Sequence, residues 1–212
     1  GLNTKQSHSI VVRAPKNVYF FTEIEILHFM HAFQPICCEH GYQLSYSMDR
    51  NPTQIAATAC VTFDMSADEF HALSDENYIP VVAVDSLIND PIFYQVTPDF
   101  AKLSQAARAH FDGEYCYVCL SPQNAALKAE ILSSFPTVRF VSSYADIRAV
   151  LADCDRVALS QPFLFSVLET AQAIDVFRYT DYADRRPQAV FDCIQKALNR
   201  LQVLDEAHFV TI

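Results

Sequence analysis

Glycine is scarce in these 212 residues, with only Gly1, Gly41 and Gly113 present. Neither the G-x-G-x-x-G turn of a dinucleotide fold nor a phosphate-cradling P-loop can be written with three isolated glycines, which sets aside most kinases, NTPases and dinucleotide enzymes. There is also no G-x-S-x-G elbow and no H-E-x-x-H helix. No apolar run approaches the ~20 residues a helix needs to cross a bilayer, so the expectation is a soluble protein with no membrane partner. Basic charge is short as well: 15 Lys and Arg stand against 25 Asp and Glu, giving a formal net charge of −10 and a pI near 5.0. Phosphate contacts need clustered Lys and Arg. Only Arg185-Arg186 and, more loosely, Lys196 with Arg200 come close in sequence. Any contact with DNA has to come from outside this segment.

What is present is a globular composition, 51% hydrophobic and 19% charged. That is far too apolar for a disordered chain and long enough for one large or two small packed units. The seven cysteines, Cys37, Cys38, Cys60, Cys116, Cys119, Cys154 and Cys193, are odd in number and mostly lie inside apolar runs, the pattern of free thiols in a reducing cytoplasm. Cys116 and Cys119 form a C-x-x-C. Their segment, "EYCYVCLS", alternates as a strand does, which points the two thiols to opposite faces rather than toward one metal.

The segments "SIVVRAP", "YQLSYSM", "ACVTFDM", "IPVVAVD", "EYCYVCLS", "TVRFVSS", "DRVALSQ" and "DVFRYTD" are short, rich in Val, Tyr and Phe, and bounded by turn or polar residues, which predicts strands. A further short strand ends at Thr97-Pro98-Asp99. Helical patterns lie between them at 20 to 40, with Pro35 a kink, and at 100 to 111, 123 to 134, 144 to 153, 163 to 173 and 187 to 203. Alternating strands and amphipathic helices predict α/β architecture with parallel sheets flanked by helices. The pattern occurs twice, over 8 to 94 and 114 to 182, so we expect two Rossmann-like lobes: 8–97 as the N-terminal lobe and 98–212 as the C-terminal lobe with its crossover segments. Gly1 reads as a tag remnant and residues 1–7, with "LNTKQSH", as a connector stub.

Ligands in open α/β sheets collect at the carboxyl ends of strands. Asp85, Asp99 and Asp181 each follow a predicted strand or open a helix, and such acceptors suit a hydroxyl-rich ligand. Asp99 reads equally as the N-cap of "FAKLSQAARAHF", and Asp85 as a solvated loop residue. Tyr19 and Phe20 open the first helix, where an aromatic face can meet a sugar ring or base or simply pack in the core. Lys128 can reach the same cleft. Glu25, His28 and His31 share a helix face by spacing; an ordinary exposed face explains them better than a metal site, because no further ligands can be named. His40 before Gly41 reads as a helix end beside its glycine cap.

The order of segments resembles the effector-binding core of a lactose/galactose-repressor-type (LacI/GalR) transcription regulator, with its type I periplasmic-binding-protein fold, over nearly the whole chain. "SHSIVVRAPKNVYFFTEI" resembles the family's opening strand and Asn-Pro-Phe-Phe-like turn, with Asn17 and Phe20-Phe21 in similar places. "EHGYQLSYSMDRN" is similar to its second strand, "YIPVVAVDS" to its Ile-Pro-Val-Val-x-Ile-Asp segment, and "VTPDFAKLSQAARAHF" to its Val-x-x-Asp and following helix. In "SPQNAALKAEIL", Lys128 takes the place of an effector-binding Arg, with Ile131-Leu132 replacing Gly-Phe. Gln161-Pro162 replaces Asn-Asp in "DRVALSQPFLFSVL", and "DVFRYTDY" keeps Asp181 but loses the Gly. Several sugar-binding positions have therefore changed type.

The resemblance implies a cytoplasmic, non-enzymatic sensor domain without cofactor or metal. It would be a homodimer that reads operator DNA only through an upstream helix-turn-helix domain, and would hold a small polar metabolite, a sugar or derivative, with Tyr19, Phe20, Asp85, Asp99, Lys128, Gln161 and Asp181. Two other classes share the two-lobed outline: a solute-binding protein of a transport system, and a small glycosyltransferase. The free cysteines lean against export, and the lack of glycine-rich loops leans against a nucleotide-sugar enzyme.

Overall fold

The computed structural model describes residues 8–48, 54–199 and 209–212. The connector reading of residues 1–7, the end of "EHGYQLSYSMDRN" and the Arg200 partner of Lys196 lie outside those residues. Among the described residues there are ten strands and seven helices, and the strands fall into two sheets, both parallel throughout. The first has the order β10-β5-β4-β3-β1-β2, built from β1 (Ser9–Arg13), β2 (Gln43–Ser47), β3 (Ala59–Phe63), β4 (Val81–Val84), β5 (Gln95–Thr97) and β10 (Phe209–Thr211). The second has the order β7-β6-β8-β9, built from β6 (Cys116–Leu120), β7 (Val138–Val141), β8 (Arg156–Leu159) and β9 (Asp175–Arg178). Seven helices link them: α1 (Phe20–Glu39), α2 (Ala67–Glu76), α3 (Phe100–Phe111), α4 (Ala125–Ser134), α5 (Tyr144–Asp153), α6 (Pro162–Leu168) and α7 (Asp181–Leu198).

Each central strand is apolar on both faces, as a sheet covered by helices on both sides requires. In the first lobe, Ile10, Val12, Val61, Phe63, Val82 and Val84 face a core shared with α1 and α7. Their neighbours Val11, Cys60, Val81 and Ala83 face α2 through Phe70 and Leu73. In the second lobe, Cys116, Val118 and Leu120 meet α5 and α6, while Tyr117 and Cys119 meet α3 and α4. The expected opposition of the two C-x-x-C thiols is therefore seen, and all seven cysteines are free.

The crossovers decide what reaches the cleft. Segment 98 to 113 carries the chain into the second lobe. After β9 the chain returns, and Tyr182, Val190, Phe191 and Ile194 of α7 complete the first lobe's core beside Phe29 and Phe33 of α1. β10 then pairs with β5, locked by hydrogen bonds from the Asp99 N–H to the Ile212 carbonyl (2.8 Å) and from the Ile212 N–H to the Thr97 carbonyl (3.1 Å). At its other end α1 reaches across: Phe21 packs in the second lobe's core, 4.7 Å from Phe163 between ring centres.

All the predicted strands are present, and α1 runs through Pro35. His40 and Gly41 end α1 as expected, with Gly41 at φ +79°. Two elements, α2 and β10, went unread, and two boundaries differ: α6 stops at Leu168, and α7 begins at Asp181, six residues before Pro187. Among the described residues, no helix is long and apolar enough to cross a membrane.

Candidate functional site

β3 and β4 both stop on an aspartate in the left-handed region, Asp64 at φ +50° and Asp85 at φ +49°. Asp tolerates that conformation better than most residues, and non-glycine residues held there concentrate where the chain must re-aim a side chain. Here Asp64 turns toward the second lobe, whereas Asp85 is held by α7. Asp64 Oδ1 accepts from the backbone N–H groups of Gln123 (2.8 Å) and Asn124 (3.2 Å), at the entrance to α4. Helix N-termini carry unsatisfied N–H groups and partial positive charge, so a carboxylate from the facing lobe is a natural cap. Asn124 adds a second tie: its side chain caps α4 by accepting from Leu127 N–H (2.8 Å) and donates to the carbonyls of Met65 (2.7 Å) and Leu87 (3.2 Å).

Glu25, on the second turn of α1, makes the third connection. Its Oε2 accepts from the Phe163 N–H of α6 (2.9 Å), and its Oε1 accepts from Arg186 Nη2 (3.0 Å). Arg186, on α7, donates its other terminal nitrogen to Asp85 Oδ2 (3.0 Å), and the Tyr182 hydroxyl donates to Asp85 Oδ1. The guanidinium is only 2% exposed and lies over the rings of Phe29 (5.3 Å), Tyr182 (5.3 Å) and Phe63 (5.7 Å). α7 thus braces two carboxylates from behind, and one of them, Glu25, bridges to the second lobe.

Burial governs the titration of the group. It pushes Glu25 up to about 6, moderated by the Arg186 charge and the Phe163 N–H. It pushes Asp64 up to about 7, because the two α4 N–H groups only partly offset the loss of water and the carboxylates of Asp85 and Glu69 add repulsion. Burial pulls the Arg186 guanidinium down, yet Asp85 and Glu25 more than compensate and hold it above its ordinary value. Tyr117 and Tyr182 stay protonated, lifted well above the usual phenol range chiefly by burial. Among these groups lies a cavity of about 40 Å³, lined also by Thr22, Cys119, Ser121, Ser160 and Gln161. It has room for a few water molecules. Hydrogen bonds between the two lobes flank it.

Solved structures share this fold. One is the Cra transcriptional dual regulator from Pseudomonas putida in complex with fructose 1-phosphate, with a TM-score of 0.62 at 13% identity over 96% of each chain. A LacI transcriptional regulator from Lactobacillus brevis aligns with a TM-score of 0.57 at 15% identity, covering 96% of this chain and 98% of that one. A LacI family transcriptional regulator from Enterococcus faecalis with bound ribose gives 0.57 at 14% identity, covering 96% and 94%. The chain has the fold of a LacI-type regulator core. That matches the resemblance read from the sequence, although no family model and no curated protein sequence matches the chain.

Within this regulator fold, the residues expected at the ligand divide. Asp85 and Gln161 line the cavity; Gln161 stands at the entrance of α6 and accepts from the Leu120 N–H (2.8 Å). Asp99 caps α3, accepting from the Lys102 N–H (3.0 Å), the alternative read for it. Asp181 opens α7 at the surface and pairs with Arg185 (3.3 Å). Lys128 turns outward, its ammonium 5.1 Å from the centre of the Phe140 ring. Tyr19 and Phe20 are 44% and 63% exposed and stand outside the cavity, whereas their neighbour Phe21 is buried. Of Glu25, His28 and His31, the two histidines are exposed as expected but Glu25 is not; no metal-binding cluster occurs among the described residues.

Sequence reading missed Asp64, Glu25 as a cleft residue, Asn124, Tyr182 and Arg186. The signal for Asp64 was available, since "VTFD" ends as "VAVD" does, with an apolar strand running into an aspartate. Glu25 and Arg186 are 161 residues apart, and nothing local announces their pairing. A larger groove of about 410 Å³ lies beside the β1–α1 loop and α2, with Gln123 on its rim donating its backbone N–H to Asp64 and its side-chain amide to the Asn17 carbonyl.

Proposed function

We propose that this chain is the small-molecule-sensing core of a transcription regulator and that the cavity between its lobes is the effector site. The observation that carries this reading is the meeting of two parallel sheets, carboxyl end to carboxyl end, at one cavity lined by Glu25, Asp64 and Asp85, whose walls hydrogen-bond to each other across the gap. A ligand entering there must replace Asp64–α4 and Glu25–α6 contacts with its own, so binding and lobe geometry are coupled by construction. The fold supports the same reading, because its solved counterparts include regulators with ribose or fructose 1-phosphate bound.

In this reading the protein is cytoplasmic and dimeric, and operator contact belongs to a helix-turn-helix outside these 212 residues. The core does no chemistry. Cys119, the thiol in the lining, is held protonated by burial and is a poor nucleophile, and each carboxylate is engaged in structural hydrogen bonds.

A thermal-denaturation screen against small polar metabolites tests the assignment. We expect at least one to raise the melting temperature with a logarithmic dependence on concentration, and the Asp85→Ala and Gln161→Ala variants to lose that shift. A ligand whose effect survives both substitutions would place the effector site elsewhere.

A further inference from the structure

We propose that the interlobe cleft selects a small molecule carrying a protonated amine rather than a neutral or phosphorylated sugar. This inference rests on the cleft being the effector site and adds the class of effector. The cavity is lined by Glu25, Asp64 and Asp85, and no Lys, Arg or His is among its described lining residues. Arg186 sits behind the wall and is consumed by Glu25 and Asp85. Asp64 is 6% exposed and has no ion pair among the described residues; the side-chain charges acting on it are Asp85 and Glu69, both repulsive.

A buried carboxylate held this way is short of a counter-charge: burial raises its pKa, and the neighbouring Asp85 and Glu69 carboxylates add to the rise. The remaining walls suit the same guest. Phe63, Tyr117 and Tyr182 line the cavity, and aromatic faces attract cations. Ser121, Ser160 and Gln161 supply acceptors for ammonium hydrogens or partners for a neighbouring hydroxyl. Lys128, which stands where the resemblance places an arginine, is turned away onto Phe140, so no cation is aimed inward to meet a phosphate or carboxylate.

The test uses the 212-residue chain and two sets matched in shape but not in charge: ethanolamine, ethylene glycol and glycolate, then glucosamine, glucose and glucose 6-phosphate. Calorimetry is run at about pH 6, where Asp64 still holds its proton, in two buffers of different ionisation enthalpy. We expect the amine of a set to bind at least about tenfold more tightly than its partners and to release a proton on binding. Asp64→Asn reduces the proton release to the share that Glu25, also partly protonated at this pH, can supply, and weakens the amine by a similar factor. Ser121→Lys, which places a tethered cation in the cavity, abolishes amine binding in a protein whose circular dichroism is unchanged; it carries the test alone if Asp64→Asn does not fold.

Binding of glucose or a phosphate as tight as the amine, or amine binding indifferent to the substitutions, overturns the proposal. If Gln161→Ala still weakens that ligand, the cleft remains the effector site and only the charge class is wrong. Failure of both amines to bind also overturns it, and failure of all six compounds counts against the effector cleft as well.

Discussion

Asp64 and Glu25 are carboxylates that the fold buries against electrostatic preference, and the pH dependence of stability reports on them. Their pKa values in the folded chain lie above those of the unfolded chain, so folding takes up protons. The resulting stability is complete below their ordinary values, 3.8 and 4.5, and is lost as pH rises through about 6 for Glu25 and about 7 for Asp64. Asp64→Asn cannot ionise but keeps an acceptor for α4. We expect thermal melts of this variant to show a shallower decline than the parent between about pH 4 and 7, keeping only the Glu25 share, and at about pH 8 to exceed the parent by a few kcal/mol at most. Equal slopes for the two proteins would assign the pH dependence to other groups. Arg186 behaves in the opposite sense. Arg186→Met leaves Glu25 and Asp85 buried without their cation, and chemical denaturation should show a loss of about 3–5 kcal/mol.

At the level of elements, α4 is the joint between the lobes, because one residue holds it from both sides. Asn124 caps the helix and satisfies the backbone of Met65 and Leu87 in the other lobe. Asn124→Ala removes the cap and strands those groups, for a predicted loss of about 2–4 kcal/mol in denaturant unfolding. Small-angle scattering should also show a wider separation of the lobes; a radius of gyration equal to the parent's would mean that Asp64 and Glu25 suffice to hold them. How far such elements could be read in advance follows from their physics. The central strands were legible because burial on both faces makes them short Val- and Tyr-rich runs. α2 was not, since only Phe70 and Leu73 of its ten residues are buried, although Ser66 followed by Glu69 is the start signal that its cap obeys. The helix read at 187 to 203 begins earlier, at Asp181, and passes through Pro187. The cleft was half legible. A strand end pointed to Asp85 and the family resemblance to Gln161, while the pairings that complete it join α1 to α7 and β3 to α4, which no local pattern encodes.

For the whole molecule, under the proposed effector reading, a ligand acts by redistributing lobe arrangements, because Asp64 and Glu25 already bridge the two lobes. A hundredfold difference in affinity between two such arrangements is worth about 2.7 kcal/mol, within the usual range for coupling between sites. Sedimentation should report a dimer whose frictional ratio changes with effector; a monomer at all concentrations would leave no route from the cleft to two DNA-reading heads.

One last consequence follows from the return of the chain to its first sheet. The second lobe's four strands are contiguous between Cys116 and Arg178, whereas the first lobe lacks a core helix and an edge strand until Ile212 has been added. During synthesis the half made later is therefore ready to fold earlier, and the half made earlier waits, with its apolar strands uncovered, for α7 and β10. A released chain truncated after residue 180 should resist brief proteolysis across 100–178 and be cut within 8–97.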